Sequence, residues 1–414
     1  MTTRVSVGAS GRARLTLLPG LCRLWRDETA IQLGADPSRA VIMELPDPAA
    51  ARVLDLLDGS RTERTVLRDA KAAGVPAHVT TAMLAALRSA NLVIGTDSLV
   101  PPSMPEGVRR RLVAEAAAIA MAARAPDIPG LIDDTPHITD GSPHAADATS
   151  LTAGGAVPGA TGAPKAATIP AEAMRRRAAT SVQITGASRL VVPIAAGLAR
   201  AGVGHVDPAL TGRVGVHDDT VGGLTPADTD RPRGTAASEA VLRAAPFTDT
   251  RALRVGGASF VVQIGQGVPA ELAAFAYARK SLAHLLIEER DDTVLVGPLV
   301  PPGGSPCLRC LDLHRRDRDP AWPTLVAQLA TSMDAAPTIS TATTLIAVGV
   351  AVAQVLAYLD TDEAPTIGAS IEVGPPSTVR RRSWQAHPKC DCAVRSRHRR
   401  RARSGRTDSA LLGD

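Results

Sequence analysis

Two short stretches of the sequence, Gly297-Pro-Leu-Val-Pro-Pro-Gly-Gly-Ser-Pro-Cys-Leu-Arg-Cys310 and His387-Pro-Lys-Cys-Asp-Cys392, each contain a closely spaced cysteine pair. The first pair has C-x-x-C spacing in a turn-rich setting, and the second has C-x-C spacing. Four thiolates complete a closed tetrahedral structural zinc site, and sulfur ligands favour zinc over cations that prefer oxygen. We therefore predict one structural zinc ion, bound by Cys307, Cys310, Cys390 and Cys392.

The cysteine pairs have other interpretations, namely a redox motif, free thiols, or His387 replacing one cysteine as a ligand. A thioredoxin-type motif would not have a second pair. The 79 residues between Cys310 and Cys390 form a long loop. Closing that loop costs about 4 kcal/mol, whereas structural zinc contributes on the order of 10–16 kcal/mol. Zinc would therefore hold the C-terminal segment against the body, and the isolated Cys22 is interpreted as a core residue.

The composition indicates a multidomain cytoplasmic protein. The chain has 414 residues, enough for two or three domains, and 45% of them are hydrophobic. The N-terminal stretch has no apolar signal region, so the cysteine pairs are expected to bind metal rather than to form disulfides. Residues 338–359 are apolar but include several polar side chains, which predicts a buried helix and no membrane partner.

The positive charge is concentrated near the C-terminus. Residues 380–406 contain eleven Lys or Arg and one acidic residue, which gives +10, so the rest of the +5 chain carries about −5. We interpret residues 394–414 as a basic, disordered tail on a mildly acidic body. Nucleic acid is accordingly not an expected partner.

Residues 13–98 predict an N-terminal winged-helix domain. Leucine-rich strands and Ala30–Leu33 come first, separated by turn residues. Three helices follow, over residues 47–57, 62–74 and from Pro76 onward, with Thr62 as a cap. Residues 91–94 and 99–100 then predict a small wing hairpin.

Residues 178–393 predict a Rossmann-type α/β domain. Strand patterns at 181–185, 213–216, 259–264 and 285–287 alternate with helix patterns at 191–201, 236–244 and 271–279, which is typical of a parallel sheet. Two final strands are predicted near 369–373 and 378–384. Residues 99–177 between the domains predict a helix near 105–124 and a disordered Ala/Gly/Pro/Thr linker over 126–170.

The turn after the first strand of this domain resembles a nucleotide-binding loop that has lost its glycines. A dinucleotide or ATP fold would have G-x-G-x-x-G here, but only the first glycine of that pattern is present. The Ser188 side chain would crowd the phosphate and the Val191 side chain would displace the helix, so ATP is not expected as a cofactor. The degenerate nucleotide-binding positions are Gly186, Ser188 and Val191. Asp218 and Asp219 are interpreted as a solvated loop rather than a ribose-binding pair.

The run Ala195-Ala-Gly-Leu-Ala-Arg-Ala-Gly-Val-Gly-His-Val206 resembles the first helix and second strand of the ThiF family. These are adenylating proteins related to ubiquitin-activating enzymes. The two cysteine stretches resemble the two ends of that family's tetrathiolate zinc site, and the likeness covers about residues 178–393. The resemblance implies a ThiF-like α/β domain that dimerises.

Within this family the chain most resembles the actinobacterial ThiF-like partners of azole-peptide cyclodehydratases, through Leu18-Pro-Gly20, Leu24-Trp-Arg26 and Ile31-Gln-Leu-Gly34. In those proteins the leader of a ribosomal peptide precursor adds beside the third strand and packs on the third helix. The resemblance implies that this peptide is bound by Ala30, Ile31, Gln32, Leu33, Val79, Met83 and Leu87.

The departures from the family concern ATP. Gly234-Thr-Ala-Ala-Ser-Glu239 stands where active members have a lysine that holds ATP, and it contains none. The resemblance thus implies a degenerate adenylyltransferase-like subunit with no catalytic residue of its own. The ATP-dependent chemistry would belong to a separate YcaO-type partner.

Three functions follow from these patterns. The first is a non-catalytic, zinc-containing subunit that presents a leader peptide to a modifying enzyme. The second is an active ATP-dependent adenylyltransferase. The third is a DNA-binding regulator, which is disfavoured because Arg88 is the one Lys or Arg in the predicted third helix, residues 76–90.

Overall fold

The structure is a computed structural model, and it describes residues 13–34, 40–122, 150–151, 169–265, 270–290, 292–329, 339–375 and 378–392. The chain divides into two compact units, with the described residues up to Arg175 in the N-terminal unit and those from Arg176 in the C-terminal unit. Most of the predicted linker, residues 126–170, and the whole predicted tail, residues 394–414, lie outside the described residues.

The N-terminal unit contains two small sheets and several helices. Its strands are β1 (Arg14–Leu17), β2 (Arg23–Trp25), β3 (Ala30–Leu33), β4 (Val41–Glu44), β5 (Asp58–Thr62), β6 (Val93–Gly95) and β7 (Ser150–Leu151). Its helices are α1 (Arg52–Asp55), α2 (Glu63–Ala72), α3 (Ala77–Ser89), α4 (Thr96–Leu99), α5 (Glu106–Ala122) and the start of α6 (Pro170–Ala179). The strand orders are β5-β1-β6 and β2-β3-β4-β7.

The structure confirms the three predicted helices after the first strands and corrects their surroundings. The Thr62 hydroxyl accepts a hydrogen bond from the Thr65 amide and caps α2, as its position predicts. The predicted wing hairpin is wrong, because β6 pairs antiparallel with β1 and the segment after it forms α4. Strands β4 and β5 were not predicted, and Cys22 is exposed just before β2 instead of buried.

The C-terminal unit is built on one seven-stranded mixed sheet. Its strands are β8 (Ser181–Thr185), β9 (His205–Ala209), β10 (Phe260–Ile264), β11 (Ala283–Arg290), β12 (Thr293–Val300), β13 (Ala369–Gly374) and β14 (Thr378–Ser383), in the order β14-β13-β12-β11-β10-β8-β9. Its helices, after the end of α6, are α7 (Val191–Arg200), α8 (Arg233–Ala244), α9 (Ala270–Lys280), α10 (Leu308–Arg318), α11 (Trp322–Leu329) and α12 (Thr341–Thr361).

The prediction of a parallel sheet is correct for one half. Strands β9, β8, β10 and β11 are parallel, whereas β12, β13 and β14 each run antiparallel to the neighbouring strand. The second strand is β9, and the expected strand at residues 213–216 is wrong. Three of these four residues, Arg213, Gly215 and Val216, are exposed, so the segment does not fill the sheet interior that Val206 and its buried neighbours occupy.

The long apolar helix α12 packs on the sheet. Ala347, Ala351 and Val355 are buried in the same apolar cluster as residues of β8, β10 and α7. By length and composition alone α12 could cross a membrane, yet 39% of its most apolar window is buried inside the protein. The sequence-based expectation of a buried helix therefore holds for the side that packs on the sheet, whereas other residues such as Leu345 are exposed.

A buried ion pair connects α6 to the end of α12. The Arg177 guanidinium donates to both carboxylate oxygens of Asp360, with Nε–Oδ1 2.8 Å and Nη2–Oδ2 2.5 Å. Its Nη1 also donates to the Ala201 carbonyl at 2.9 Å. Both side chains of the pair are almost completely removed from water, so each charge depends on the other for compensation.

We predict that Asp360→Asn destabilises the C-terminal unit by about 3–5 kcal/mol, because it leaves a buried guanidinium without its countercharge. Urea unfolding measures the change. The matched control is Glu372→Gln, which removes the partner of the half-exposed Arg382 (Nε–Oε2 2.6 Å) and should cost about 0–1 kcal/mol. Equal losses in the two variants would contradict the importance of the buried pair.

Candidate functional site

The four predicted cysteines converge at one end of the C-terminal sheet. Their sulfur atoms all lie within 4.8 Å of one another. The Cys307–Cys390 Sγ distance is 3.8 Å and the Cys310–Cys392 Sγ distance is 3.3 Å. Zn–S bonds of about 2.3 Å place tetrahedral sulfurs roughly 3.8 Å apart. The cluster could therefore hold a metal ion, and its all-sulfur ligand set suits zinc.

Local structure explains how the cysteines are positioned. Cys307 is the N-cap residue of α10 in an extended conformation, and Cys310 lies in the first turn of the helix. Cys390 and Cys392 lie in the turn that follows β14, where the Cys390 amide donates to the His387 carbonyl at 2.9 Å. The C-x-x-C spacing thus becomes one helical turn, and the C-x-C spacing becomes a tight turn facing it.

Polar groups surround the sulfurs and orient them. The His387 amide donates to Cys310 Sγ at 3.3 Å, and the Ser305 hydroxyl lies 3.2 Å from Cys392 Sγ. The imidazole of His387 is directed elsewhere, since Nε2 contacts Asp317 Oδ2 at 2.8 Å and Nδ1 accepts from the Lys389 amide at 3.1 Å. The alternative in which His387 replaces a cysteine as ligand is therefore not supported.

The protonation of the cluster is strongly interdependent. Hydrogen bonds from Cys307 and Cys310 lower the pKa of the Cys392 thiol, and the corresponding hydrogen bonds with Cys310 and Cys392 raise the pKa of Cys307. Burial raises the pKa of Cys390 to about 11. A metal ion that binds all four thiolates must therefore displace protons, and its affinity falls as the pH is lowered.

The loop after β8 keeps its glycine for a packing reason. Gly186 has φ +126°, and a Cβ there would lie 2.1 Å from the Ile264 carbonyl oxygen at the end of β10. A side chain is thus excluded by the neighbouring strand whether or not a phosphate binds. The presence of this glycine is consequently not evidence for a nucleotide.

The N-terminus of α7 has few amides left for a phosphate. Ser188 Oγ accepts from the Leu190 amide at 2.9 Å, and the Ser188 carbonyl accepts from the Val191 amide at 3.2 Å. Pro193 in the first turn has no N–H. The Ser188 hydroxyl also donates to the Glu289 carboxylate, whose negative charge opposes an anionic ligand. The third predicted position, Val191, is fully buried in the core.

The acidic residues near this loop are already paired. Asp207, on β9, accepts from Gln183 Nε2 at 3.1 Å and from the Leu253 amide at 2.9 Å. It lies near the position where a dinucleotide fold has its ribose-binding acid, about 20 residues after the glycine loop, a spacing from which Asp207 could have been predicted. Asp218 binds Arg233 (Nε–Oδ2 3.1 Å), which begins α8 and immediately precedes the segment that lacks a lysine.

The residues expected to bind a peptide are mostly part of the N-terminal core. Gln32 and Val79 are half-buried, whereas five others are buried, namely Ala30, Ile31, Leu33, Met83 and Leu87. Strand β3 is paired on both sides, with β2 and β4, so its main chain has no open edge. The expectation that a peptide adds beside Ala30–Leu33 therefore moves to the neighbouring strand β4.

Strand β4 has an edge that accepts another strand. Ser150 and Leu151 of β7 pair with it in parallel, with Ile42 opposite Ser150 and Met43 opposite Leu151. A segment about 100 residues away in sequence thus pairs with the main chain of β4. Binding by strand addition gives affinity through main-chain hydrogen bonds and selectivity through side-chain pockets.

No protein-family model matches the chain, and no curated protein matches it in sequence. Solved structures with a similar fold include E. coli MccB with ATP, at 11% identity and TM-score 0.58, covering 91% of this chain and 99% of MccB. Another is the microcin C7 biosynthetic enzyme MccB in complex with N-formylated MccA, at 11% identity and TM-score 0.57, covering 91% of this chain and 99% of that one.

PaaA is also similar, at 13% identity and TM-score 0.56, with 88% of this chain and 98% of PaaA covered. These comparisons define the class of fold as the MccB and ThiF-like fold, which confirms the expected ThiF-like architecture. The particular likeness is to MccB, and it extends over both units of the chain because nine tenths of its length is covered.

We predict that the purified protein binds about one zinc ion per chain through the four thiolates. Cys390→Ser should lose most of this zinc and lower the melting temperature, because three thiolates no longer close the site. Elemental analysis and thermal unfolding measure both effects, and acidification should release zinc from the wild type.

The control for the zinc experiment is Cys22→Ser, which changes an exposed cysteine outside the cluster. It should keep the zinc content and the melting temperature of the wild type. Unchanged zinc in Cys390→Ser, or equal zinc loss in both variants, would contradict the site.

Proposed function

We propose that this chain is a non-catalytic, zinc-containing subunit that binds a precursor peptide, through its leader region, and presents it to a modifying enzyme. The observation that carries the proposal is the pairing of an extended segment with the edge of β4. The proposal also rests on the likeness to MccB, which has been solved in complex with the peptide MccA.

Binding would use the main chain of β4 and would replace the short pairing with Ser150 and Leu151. The side chains of Val41 and Ile42 are half-buried and Glu44 is exposed, so a bound strand could contact them. Gln32 and Val79 remain candidates for side-chain contacts with the peptide. The buried members of the predicted set would support β4 from the core.

We propose no ATP chemistry for this chain because the loop after β8 offers few groups that could bind a phosphate. The hydroxyl and carbonyl of Ser188 take two helix amides, Pro193 lacks a third, and Glu289 adds a negative charge. Anion binding at a helix N-terminus needs those amides and a favourable field. ATP-dependent chemistry would then belong to a partner, which we propose to be a cytoplasmic YcaO-type enzyme that modifies the peptide presented by a homodimer of this chain.

A second candidate function is ATP-dependent adenylyl transfer. The observation in its favour is the likeness to the ATP-bound structure of MccB. The DNA-binding alternative is weaker, because Arg88, the basic residue of α3 that could contact phosphate, is engaged by Glu63 through bonds of 2.8 and 3.1 Å.

We predict that calorimetry of the zinc-loaded protein with ATP and magnesium gives no saturable heat. The reason is that the phosphate-binding amides of α7 are already occupied. E. coli MccB, which has been solved with ATP, is the positive control under the same conditions. Saturable binding together with ATP–pyrophosphate exchange would establish the adenylyltransferase instead.

We further predict that a labelled synthetic peptide with the sequence of residues 145–156 binds in trans to a Ser150→Pro, Leu151→Pro variant. The two prolines remove main-chain donors from the chain's own segment and thereby open the edge of β4. Fluorescence anisotropy should show weaker binding to the wild type, whose own segment competes.

The control for the peptide experiment is the same synthetic peptide with both prolines, which should not bind to either protein. Hydrogen exchange at Ile42 and Met43 should slow when the unmodified peptide is added to the variant. No binding of that peptide to the variant would exclude β4 as a strand acceptor.

A further inference from the structure

A cavity of about 360 Å³ lies beside the cysteine cluster in the C-terminal unit. Helix α9, strand β11, the end of β12 and the glycine-containing loop before Cys307 form its walls. Ligand-binding pockets commonly measure about 300–1,000 Å³ and combine apolar walls with a few polar groups. The volume of this cavity is therefore sufficient for a small organic molecule.

Most residues that line the cavity are apolar or aromatic, and the Arg309 side chain, which pairs with Asp391 (Nη1–Oδ1 3.7 Å), also contributes to the wall. Ala274, Phe275 and Ala278 line it from α9, and Val300 lines it from β12. Phe275 is 61% exposed, so its ring is accessible to a molecule that enters the cavity.

The imidazole of His284, in the wall of the cavity, has a nitrogen that can accept a further hydrogen bond. His284 is 3% exposed, and its ring lies against Tyr277 with centroids 4.3 Å apart. Nδ1 lies 3.1 Å from the Leu282 carbonyl, which can only accept, so Nδ1 carries the hydrogen. Nε2 then holds a lone pair, and it has no hydrogen-bond partner among the described residues. Tyr277 cannot supply one, because its hydroxyl donates to Gln263 Oε1 at 2.7 Å.

The state of His284 is consistent with this geometry. Burial lowers the pKa of His284 to about 4, so the ring is neutral and Nε2 remains an acceptor at physiological pH. A buried polar atom without a partner is costly, and such atoms in folded proteins call for a water, an ion or a ligand. An acceptor of this kind selects for an N–H or O–H donor.

We propose that this cavity binds a small, mostly apolar aromatic ligand that carries one hydrogen-bond donor, which is received by Nε2 of His284. The site is separate from the loop after β8 and from the edge of β4. Cys307 and Cys392 form part of its wall, so the ligand lies against the cysteine cluster without replacing any of its sulfurs. The proposal is independent of the peptide-binding function.

The experiment titrates the full-length, zinc-loaded protein with indole and with 1-methylindole, monitored by ligand-observed NMR and calorimetry. The two probes share an aromatic skeleton, but 1-methylindole has no N–H donor. We expect indole to bind about two- to tenfold more tightly, the difference that one hydrogen bond typically gives. His284→Phe should reduce the affinity for indole to that for 1-methylindole.

A second pair of variants locates the site without changing a buried residue. Ala278 lines the cavity from the exposed side of α9, so Ala278→Leu should obstruct it and weaken indole binding. Ala276→Leu changes an exposed alanine on the same helix that does not line the cavity, and it should bind like the wild type. Zinc content and melting temperature report whether each variant is folded.

The proposal is overturned if indole does not bind, if both probes bind equally to the wild type, or if the two alanine variants behave alike. Should His284→Phe fail to fold, the comparison of the two alanine variants and the two probes still decides the outcome.

Discussion

The convergence of four cysteine sulfurs within 4.8 Å is the constraint on which the C-terminal unit depends. The pairs are 79 residues apart in sequence, and α12, β13 and β14 all lie within the loop that they close. Four thiols in one place are difficult to ionise together, because each thiolate raises the cost of the next. A divalent cation would reverse this cost, and its binding would then be coupled to the closing of the loop.

The fold of the C-terminal unit does not depend on nucleotide binding at the loop after β8. Strands β8 and β10 pair over four residues, and the core behind them is made of apolar contacts with α7 and α12. Gly186 is required by the Ile264 carbonyl, and Ser188 caps the helix from within. Architecture and nucleotide binding are therefore separable. None of these contacts requires a phosphate, and fold likeness at 11% identity shows the fold without showing the ATP chemistry.

In the N-terminal unit, the side chains that were predicted to bind a peptide mostly form the core, whereas main-chain groups at a strand edge remain available for binding. Its predicted binding face on β3 and α3 supplies the core, with Leu33 and Leu87 fully buried. The groups that remain available for recognition are the main-chain edge of β4 and a few half-buried side chains. The binding mode proposed for β4, in which main-chain hydrogen bonds give the affinity, would tolerate extensive change in side chains.

The sequence by itself determined the features that depend on local pattern. The cysteine spacing predicted the cluster, the Thr62 cap predicted α2, and alternating patterns predicted β8, α7, β10 and α9. Strand direction, the pairing of β6 with β1, the exclusion of His387 from the cluster and the burial of Met83 were decided by tertiary structure alone. The physical reason is that an apolar residue gives the same sequence pattern whether it faces a core or a ligand. The sequence of a strand likewise does not indicate the direction of the strand beside it. Both are fixed only when distant segments compete for the same buried surface and the same main-chain hydrogen bonds.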